Sequence, residues 1–357
     1  HNGDEKMFQC FGYAADEPQA ALSPFSFERR DPGPSDVVIK ILYCGVCHSD
    51  LHVARNEWGK TNYPCVPGHE IVGEVIAVGQ AVRKFKAGDL AGVGCLVDSD
   101  RTCQHCRAGL QQFGESGSVP TYNGRDKHNG KQTFGGYSSH IVVDQDFTLR
   151  IPPNLPLAGV APLLCAGITN YSAMRHWDVQ PDDKVGVIGL GGLGHVAVKI
   201  ARAMGAHVTV LTTSAGKIED AFRLGANDVV VTTDPAALAP LANKLDLVID
   251  TISTDHDVAM YLDLLGLDGT YVQVAIPEKP LSIPAFSVIA RRRNFTGARI
   301  GGLLETQEML DFCAEHNIVA DVELISPAEI NSAYERMVKN DVKYRFVIDM
   351  ASLHASG

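Results

Sequence analysis

Positive charge is scarce along this chain and nowhere concentrated. Lys and Arg number 31 against 42 Asp and Glu, a formal net charge of −11, and the densest basic run is Arg291-Arg292-Arg293. Nucleic-acid binding rests on neutralising several phosphates in succession, so no nucleic-acid partner is expected. Long apolar stretches are missing too: none reaches the roughly 20 residues that span a bilayer, and no charged-then-apolar leader opens the chain. The expectation is a soluble, cytoplasmic protein with no membrane partner. The 34 glycines and 18 prolines follow no period, which excludes a collagen-like or low-complexity tract. A disulfide framework is also lacking. Nine cysteines make an odd number, clustered as Cys44/Cys47, Cys103/Cys106 and singletons, and this fits metal binding in a reducing compartment better.

What is present is enough for more than one domain: 357 residues, 45% hydrophobic and 20% charged. The polar leader His1-Asn2-Gly3-Asp4-Glu5-Lys6 precedes a methionine and is set aside, with the natural start expected at Met7. From Asp36 to about Gly94 short β-branched runs ("DVVIKILYCGVC", "HEIVGEVIAVG", "GDLAGVGCLV") are broken by glycine, which predicts a small, antiparallel, barrel-like unit. Residues 100–137 lose that periodicity and read as a long loop or lobe, of the kind that is functional or metal-braced. The texture changes near Pro162. "KVGVIGLGGLGHVAVKIARAMGAHVTVLTTS" runs from apolar strand through glycine turn to helix and second strand, a βαβ unit. "DVVVT", "LDLVIDTI" and "TYVQVAI" continue a doubly wound parallel sheet to roughly Gly297. The remainder reads helix, strand, helix and a last strand, "YRFVID".

Gly189-Leu190-Gly191-Gly192-Leu193-Gly194 is a GxGxxG placed directly between an apolar strand and a helix. Its first glycine permits the tight turn, the second lets backbone approach a pyrophosphate, and the third allows close packing of helix on strand. The helix N-terminus then offers free N–H groups to the anion. A bare GxGxxG is weak as a string, and this context gives it its force. At the end of the next strand stand Thr212, Thr213 and Ser214, then Lys217, where an NAD-binding chain carries an acidic residue. Hydroxyls and an ammonium welcome a 2′-phosphate that a carboxylate would repel, so NADP(H) is expected over NAD(H).

"CGVCHSDLH" supplies Cys44, Cys47, His48, Asp50 and His52, and "GHE" supplies His69 and Glu70. Zinc favours thiolate and imidazole, and a catalytic zinc keeps three protein ligands and one open position. Spacing alone leaves open which cysteines join His69, and a local CxxC is equally a redox pair or buried filling.

"YCGVCHSDLH", "YPCVPGHEIVGEV", "APLLCAGIT", "GLGGLGHVAVKIARAMGA", "GGLLETQEMLDFCAEHNIVADVELI" and "YRFVID" together resemble the cinnamyl alcohol dehydrogenase branch of the zinc-dependent medium-chain dehydrogenase/reductase family, from about Phe11 to Asp349. The resemblance implies an α/β protein: a GroES-like, β-rich catalytic domain over 7–160, a Rossmann NADP(H)-binding domain over 161–297, and a return to the catalytic domain over 298–357. It implies one catalytic zinc on Cys47, His69 and Cys165, with Glu70 behind as an occasional fourth ligand and Asp50 orienting His69. Ser49 and His52 would relay the proton from substrate hydroxyl to solvent, while His48 and Thr169 would lie near cofactor pyrophosphate and nicotinamide. The implied activity is hydride transfer between NADP(H) and a primary alcohol/aldehyde pair, cinnamyl, benzylic or medium aliphatic, by a homodimer. Trp58, Cys95, Phe286 and Ile300 are the implied pocket walls. The alternatives are a zinc-free NADPH-dependent reductase of activated C=C bonds and a non-catalytic NADPH-binding protein.

One departure from the family stands out. Its second, structural zinc sits on four cysteines, and here "DSDRTCQHCRAGLQQFGES" keeps Cys103 and Cys106 but puts Asp100 and Gly114 at the other two positions. Glycine supplies no side-chain ligand, and structural zinc sites are closed and four-coordinate. No tightly held second zinc is therefore expected, with His105 or Glu115 as candidates to rescue a weakened site.

Overall fold

The computed structural model describes residues 8–355; the polar leader and Met7 lie outside the described residues. In chain order the first part runs β1 (Phe8–Ala14), β2 (Ser23–Arg29), β3 (Asp36–Gly45), α1 (His48–Ala54), β4 (Ile71–Val78), β5 (Leu90–Val93), β6 (Leu96–Ser99), α2 (Gln104–Arg107), β7 (Ser118–Pro120), β8 (His140–Asp144), β9 (Leu149–Arg150) and α3 (Leu157–Val160). The middle part is α4 (Ala166–His176), β10 (Lys184–Ile188), α5 (Gly194–Ala203), β11 (His207–Thr212), α6 (Ile218–Leu224), β12 (Asp228–Val231), β13 (Leu245–Asp250), α7 (Val258–Leu262), β14 (Leu265–Gln273), α8 (Ala285–Ile289) and β15 (Asn294–Gly297). The chain closes with α9 (Leu303–His316), β16 (Val322–Ile325), α10 (Ile330–Val338), β17 (Arg345–Asp349) and α11 (Ala351–Ala355). Two compact units result: Ala166–Ile300 forms one, and the parts before and after it form the other.

The discontinuous unit is organised around β3. This ten-residue strand is covered along most of its length, hence its nearly unbroken apolar run of Val37, Val38, Ile39 and Ile41. Its first half pairs antiparallel with β8 and its last residues with β17, while β4 lies along the other edge. The resulting seven-stranded sheet runs β16-β17-β3-β4-β5-β9 with β8 added on β3, and only β16–β17 is a parallel pair. The pairing of β17 with β3 returns the end of the chain to the first unit, a placement that the sequence supported only through resemblance. The lobe over 100–137 is not wholly irregular: it holds α2 and β7, and β7 pairs with β6.

In the continuous unit six strands lie in the order β12-β11-β10-β13-β14-β15, all parallel. This is the third-second-first-fourth-fifth-sixth order of a doubly wound dinucleotide-binding sheet, in which ligands bind beyond the carboxyl ends of the strands. Val185, Val187, Val208, Val210, Val248 and Ile249 are fully buried, which is why these strands read as continuous apolar runs. No single helix among the described residues is long and apolar enough to cross a membrane.

Candidate active site

Register brings the metal-type donors together. Cys44 pairs with Ile71 across β3 and β4, so the turn after β3 that carries Cys47 lies beside the approach to β4 that carries His69 and Glu70. Cys165 arrives from 118 residues away, just after the buried Ala161–Leu164 turn. One ligand atom from each of Cys47, His69, Glu70 and Cys165 falls within 4.8 Å of all the others. The two sulfurs are 4.0 Å apart.

The surroundings make this a strained place for protein alone. His69 Nε2 is buried without a hydrogen-bond partner, an orphan that costs free energy unless something accepts its lone pair or proton. A hydrogen bond from Cys165 holds the Cys47 thiol well below the usual range, against the opposing pull of burial. The same bond, with another to Cys95, pushes Cys165 well up. Two thiolates this close repel unless a cation lies between them, and sulfur with imidazole is the donor set that divalent zinc prefers. The site therefore fits a zinc ion on Cys47, His69 and Cys165.

Glu70 is fully buried, and Arg345 Nη2 reaches both of its carboxylate oxygens at 2.6 Å. Burial pushes the Glu70 carboxyl up and the guanidinium pulls it down. Gly45 makes room for this pair: a Cβ there would come within 2.1 Å of Glu70 Oε1. Asp50, also buried, accepts the Cys47 N–H at 3.0 Å and the Gly68 N–H at 3.3 Å. It therefore fixes the backbone on either side of the donor set, and its influence on His69 is through charge. Tyr137 Oη donates to Asp50 Oδ2 at 3.0 Å and lies 3.0 Å from Tyr334 Oη, while the Tyr122 ring packs 5.5 Å from the His69 ring. None of Arg345, Tyr122, Tyr137 and Tyr334 was singled out from sequence. "YRFVID" contains Arg345, and a lone arginine opening an apolar strand was the available signal.

Ser49 and His52 lie three residues apart on α1, hence on one face of it. Ser49 Oγ is 3.4 Å from Cys47 Sγ. His52 Nδ1 is 2.5 Å from Glu57 Oε2, a partner that sequence reading missed, and its ring packs 4.9 Å from half-exposed Trp58. Burial lowers the tendency of His48 to hold a proton. Cys165 and the charge of His69 lower the Cys95 thiol to about 6, against the opposing effect of burial. In the other unit Phe286 stands exposed on α8 and Ile300 has φ +38°.

The glycine turn follows β10 as expected. Gly189 has φ +89°, a conformation open to glycine, and a Cβ on Gly194 would lie 2.2 Å from Gly189 O. A Cβ on Gly191 would meet nothing within 4 Å, so backbone is accessible there. Leu193 precedes α5, and buried Thr169 lies on α4. Thr213 and Ser214 are exposed just past β11, and Lys217 Nζ donates to Leu190 O of the glycine turn at 2.5 Å. The structure thus brings the lysine ammonium to the turn, a link that the sequence did not show.

In the lobe, donor atoms of Asp100, Cys103 and Cys106 also lie within 4.8 Å of one another. Gly114 faces them: a Cβ there would sit 3.2 Å from Asp100 Oδ2 and 3.3 Å from Cys106 Sγ. The donor set is thus one short of the four that a structural zinc takes. His105 Nε2 lies 3.7 Å from Glu115 Oε1, so the two candidate replacements face each other at the surface.

Comparison with known proteins agrees with this geometry. Residues 33–153 match the alcohol dehydrogenase GroES-like domain and residues 192–315 the zinc-binding dehydrogenase domain. NADP-dependent alcohol dehydrogenase C 1 of Mycolicibacterium smegmatis is 54% identical, over 98% of this chain and 100% of that protein. Aldehyde reductase YahK of Escherichia coli is 52% identical, over 96% and 97%. A cinnamyl alcohol dehydrogenase from Sorghum bicolor superposes with a TM-score of 0.94 at 48% identity, over 96% of this chain and 98% of that one. The chain belongs to the zinc-dependent medium-chain dehydrogenase/reductase family, in its cinnamyl alcohol dehydrogenase branch.

Proposed function

We propose that this protein is an NADP(H)-dependent alcohol dehydrogenase and aldehyde reductase that interconverts primary alcohols and aldehydes, with a single catalytic zinc on Cys47, His69 and Cys165. The observation that carries the reading is the convergence of these three donors around a buried, unpartnered His69 Nε2. Relatives named as an NADP-dependent alcohol dehydrogenase and an aldehyde reductase support both the cofactor and the reaction.

When bound, zinc supplies a Lewis acid that acidifies a substrate hydroxyl, and NADP(H) supplies or accepts the hydride. The chain does the rest. Asp50 clamps the Cys47 and Gly68 backbones, so the donors are held before any metal arrives. Arg345 keeps Glu70 engaged behind the three donors and available as an occasional fourth. Ser49 Oγ takes the hydroxyl proton, and His52 passes it toward solvent, with Glu57 steadying the ring from the surface side. The Gly189–Gly194 turn and the start of α5 offer N–H groups to the pyrophosphate. Thr213, Ser214 and Lys217 leave the end of β11 free of carboxylate and suited to a 2′-phosphate.

A homodimer fits the free edge of β15, preceded in the chain by Phe286 and Ile289, 77% and 72% exposed. The reading also keeps the protein in the cytoplasm, as nine cysteines without a disulfide suggest. Metal analysis of the purified protein tests the core of the proposal: about one zinc per chain is expected. Cys165→Ala should abolish alcohol oxidation and leave NADPH binding measurable. Zero zinc in active protein would overturn the reading.

A further inference from the structure

Asp250 ends β13 fully buried, at the carboxyl edge of the parallel sheet, and is surrounded by donors. Oδ1 accepts the Ile252 N–H at 3.0 Å, and Oδ2 accepts from the Tyr271 hydroxyl of β14 and from His256 Nε2 at 2.5 Å. With the Ile252 N–H and the Tyr271 hydroxyl both directed at it, the carboxyl is placed to accept from the ring as well. The other ring nitrogen, His256 Nδ1, lies 2.7 Å from the Thr254 carbonyl oxygen. Both partners of the ring are placed to accept, and an imidazole that carries two protons can donate to both at once. A neutral ring can keep only one of the two bonds.

The segment so tied lies against the glycine turn. Thr251 Oγ1 donates to Ile188 O at 2.6 Å, and a Cβ on Gly189 or Gly194 would meet Thr251 Oγ1 at 2.9 or 3.1 Å. Ile252 Cγ1 is 3.0 Å from the same point over Gly189. Thr251 and Ile252, at the start of the segment that His256 closes, thus form the wall behind the turn.

We propose that His256 is a positioning residue for the dinucleotide site: as a doubly donating imidazolium it ties the 251–256 segment to Asp250, and loss of its proton loosens the wall behind the glycine turn and weakens NADP(H) binding. This rests on the reading of NADP(H) as the cofactor.

The groups that face the ring agree in sign. Asp250 from β13 favours the charged form most, helped by the Thr254 carbonyl and by Asp255 in the same loop, against the opposing effect of burial. Asp257 in that loop caps α7 through the Met260 N–H, and the Tyr261 ring of α7 lies 6.1 Å away. Tyr271 of β14 is pushed up by burial and stays a neutral donor. Lys279 is held on Asp255 at 3.4 Å. His256 is thereby raised above the ordinary imidazole value of 6.5. For a raised group the stabilisation is complete below 6.5 and is lost as pH climbs through the higher value, so cofactor affinity should fall on the alkaline side.

The test is the Kd of NADPH, read by nicotinamide fluorescence on the zinc-loaded enzyme from about pH 7 to about pH 9.5, above the second phosphate ionisation near 6. Wild type should weaken by about fivefold over this range, the order expected for one charge-assisted bond only partly transmitted to the site. His256→Gln should bind at its weak level throughout, with no slope, and Tyr271→Phe should keep the wild-type slope. His256→Arg, which cannot lose its proton, should lack the alkaline fall and covers the case in which the Gln variant does not fold. A flat wild-type profile, or a wild-type slope surviving in His256→Gln or His256→Arg, overturns the proposal while leaving the cofactor assignment standing. Failure of wild type to bind NADPH at any pH would remove the cofactor reading itself, and this inference with it.

Discussion

A carboxylate fully buried next to two thiols is tolerable only while a guanidinium faces it, and Arg345 does so through bonds to both oxygens of Glu70. Removing one partner of such a pair strands the other charge. Arg345→Met should therefore cost about 3–5 kcal/mol of stability, seen as a lower urea midpoint, and the double change with Glu70→Gln should recover part of the loss. Urea midpoints of the two variants that fall together would show that packing, not the stranded charge, is what Arg345 supplies. His52 makes a different kind of contribution. It is bonded to Glu57 near the surface and only partly buried, so His52→Gln should leave folding and NADPH binding unchanged. Turnover of alcohol near neutral pH should drop by about a hundredfold, the low end of what general acid–base groups contribute. High concentrations of a small imidazole buffer should restore part of the rate if proton transfer is the step removed.

At the scale of elements, the lobe around α2 shows how close a degenerate metal site can remain to the complete one. Asp100 accepts the Cys103 N–H at 3.2 Å and the Ser116 N–H at 2.9 Å, bonds that hold its carboxyl well below the usual range. It thereby ties the start of the lobe to the segment just after Gly114, as a bound ion would. Gly114 has φ −50°, so a side chain is allowed there, and its Cβ direction leads into the cluster. The Asp100→Cys/Gly114→Cys double variant should complete a four-thiolate set. Metal analysis should then rise from about one zinc per chain to about two, with a Tm that increases and becomes chelator-sensitive, since complete structural sites bind with apparent energies of about 10–16 kcal/mol. A double variant that folds and still carries one zinc would overturn the idea that ligand count alone limits the lobe. The substitutions at 100 and 114 were legible in the sequence because the flanking CxxC sets the spacing. That Asp100 bridges backbone N–H groups was not, because those bonds depend on loop conformation.

For the molecule as a whole, legibility follows contact distance along the chain. The glycine turn could be read because strand, turn and helix are consecutive, and the same holds for α9 through β17. Cys165 could not be joined to Cys47 by spacing, and Arg345, Tyr137 and Tyr334 reach the same neighbourhood from 275, 87 and 197 residues away along their bonds to Glu70, Asp50 and Tyr137. Arg345 is brought in by sheet register, β3 against β4 and β17, and the others by the packing of loops and α10, none of which a local pattern reports. This division of labour has a measurable consequence. Every donor of the metal cluster belongs to the unit built on β3, and the glycine turn, Thr213, Ser214, Lys217 and His256 all belong to the unit Ala166–Ile300. Removing zinc with a strong chelator should therefore abolish alcohol oxidation, while the Kd of NADPH stays within about twofold, because the two ligands share no residue. The melting transition should fall at the same time, since a metal that binds only the folded unit stabilises it by mass action. Loss of NADPH affinity by tenfold or more on chelation would overturn this expectation and show that the two sites are coupled.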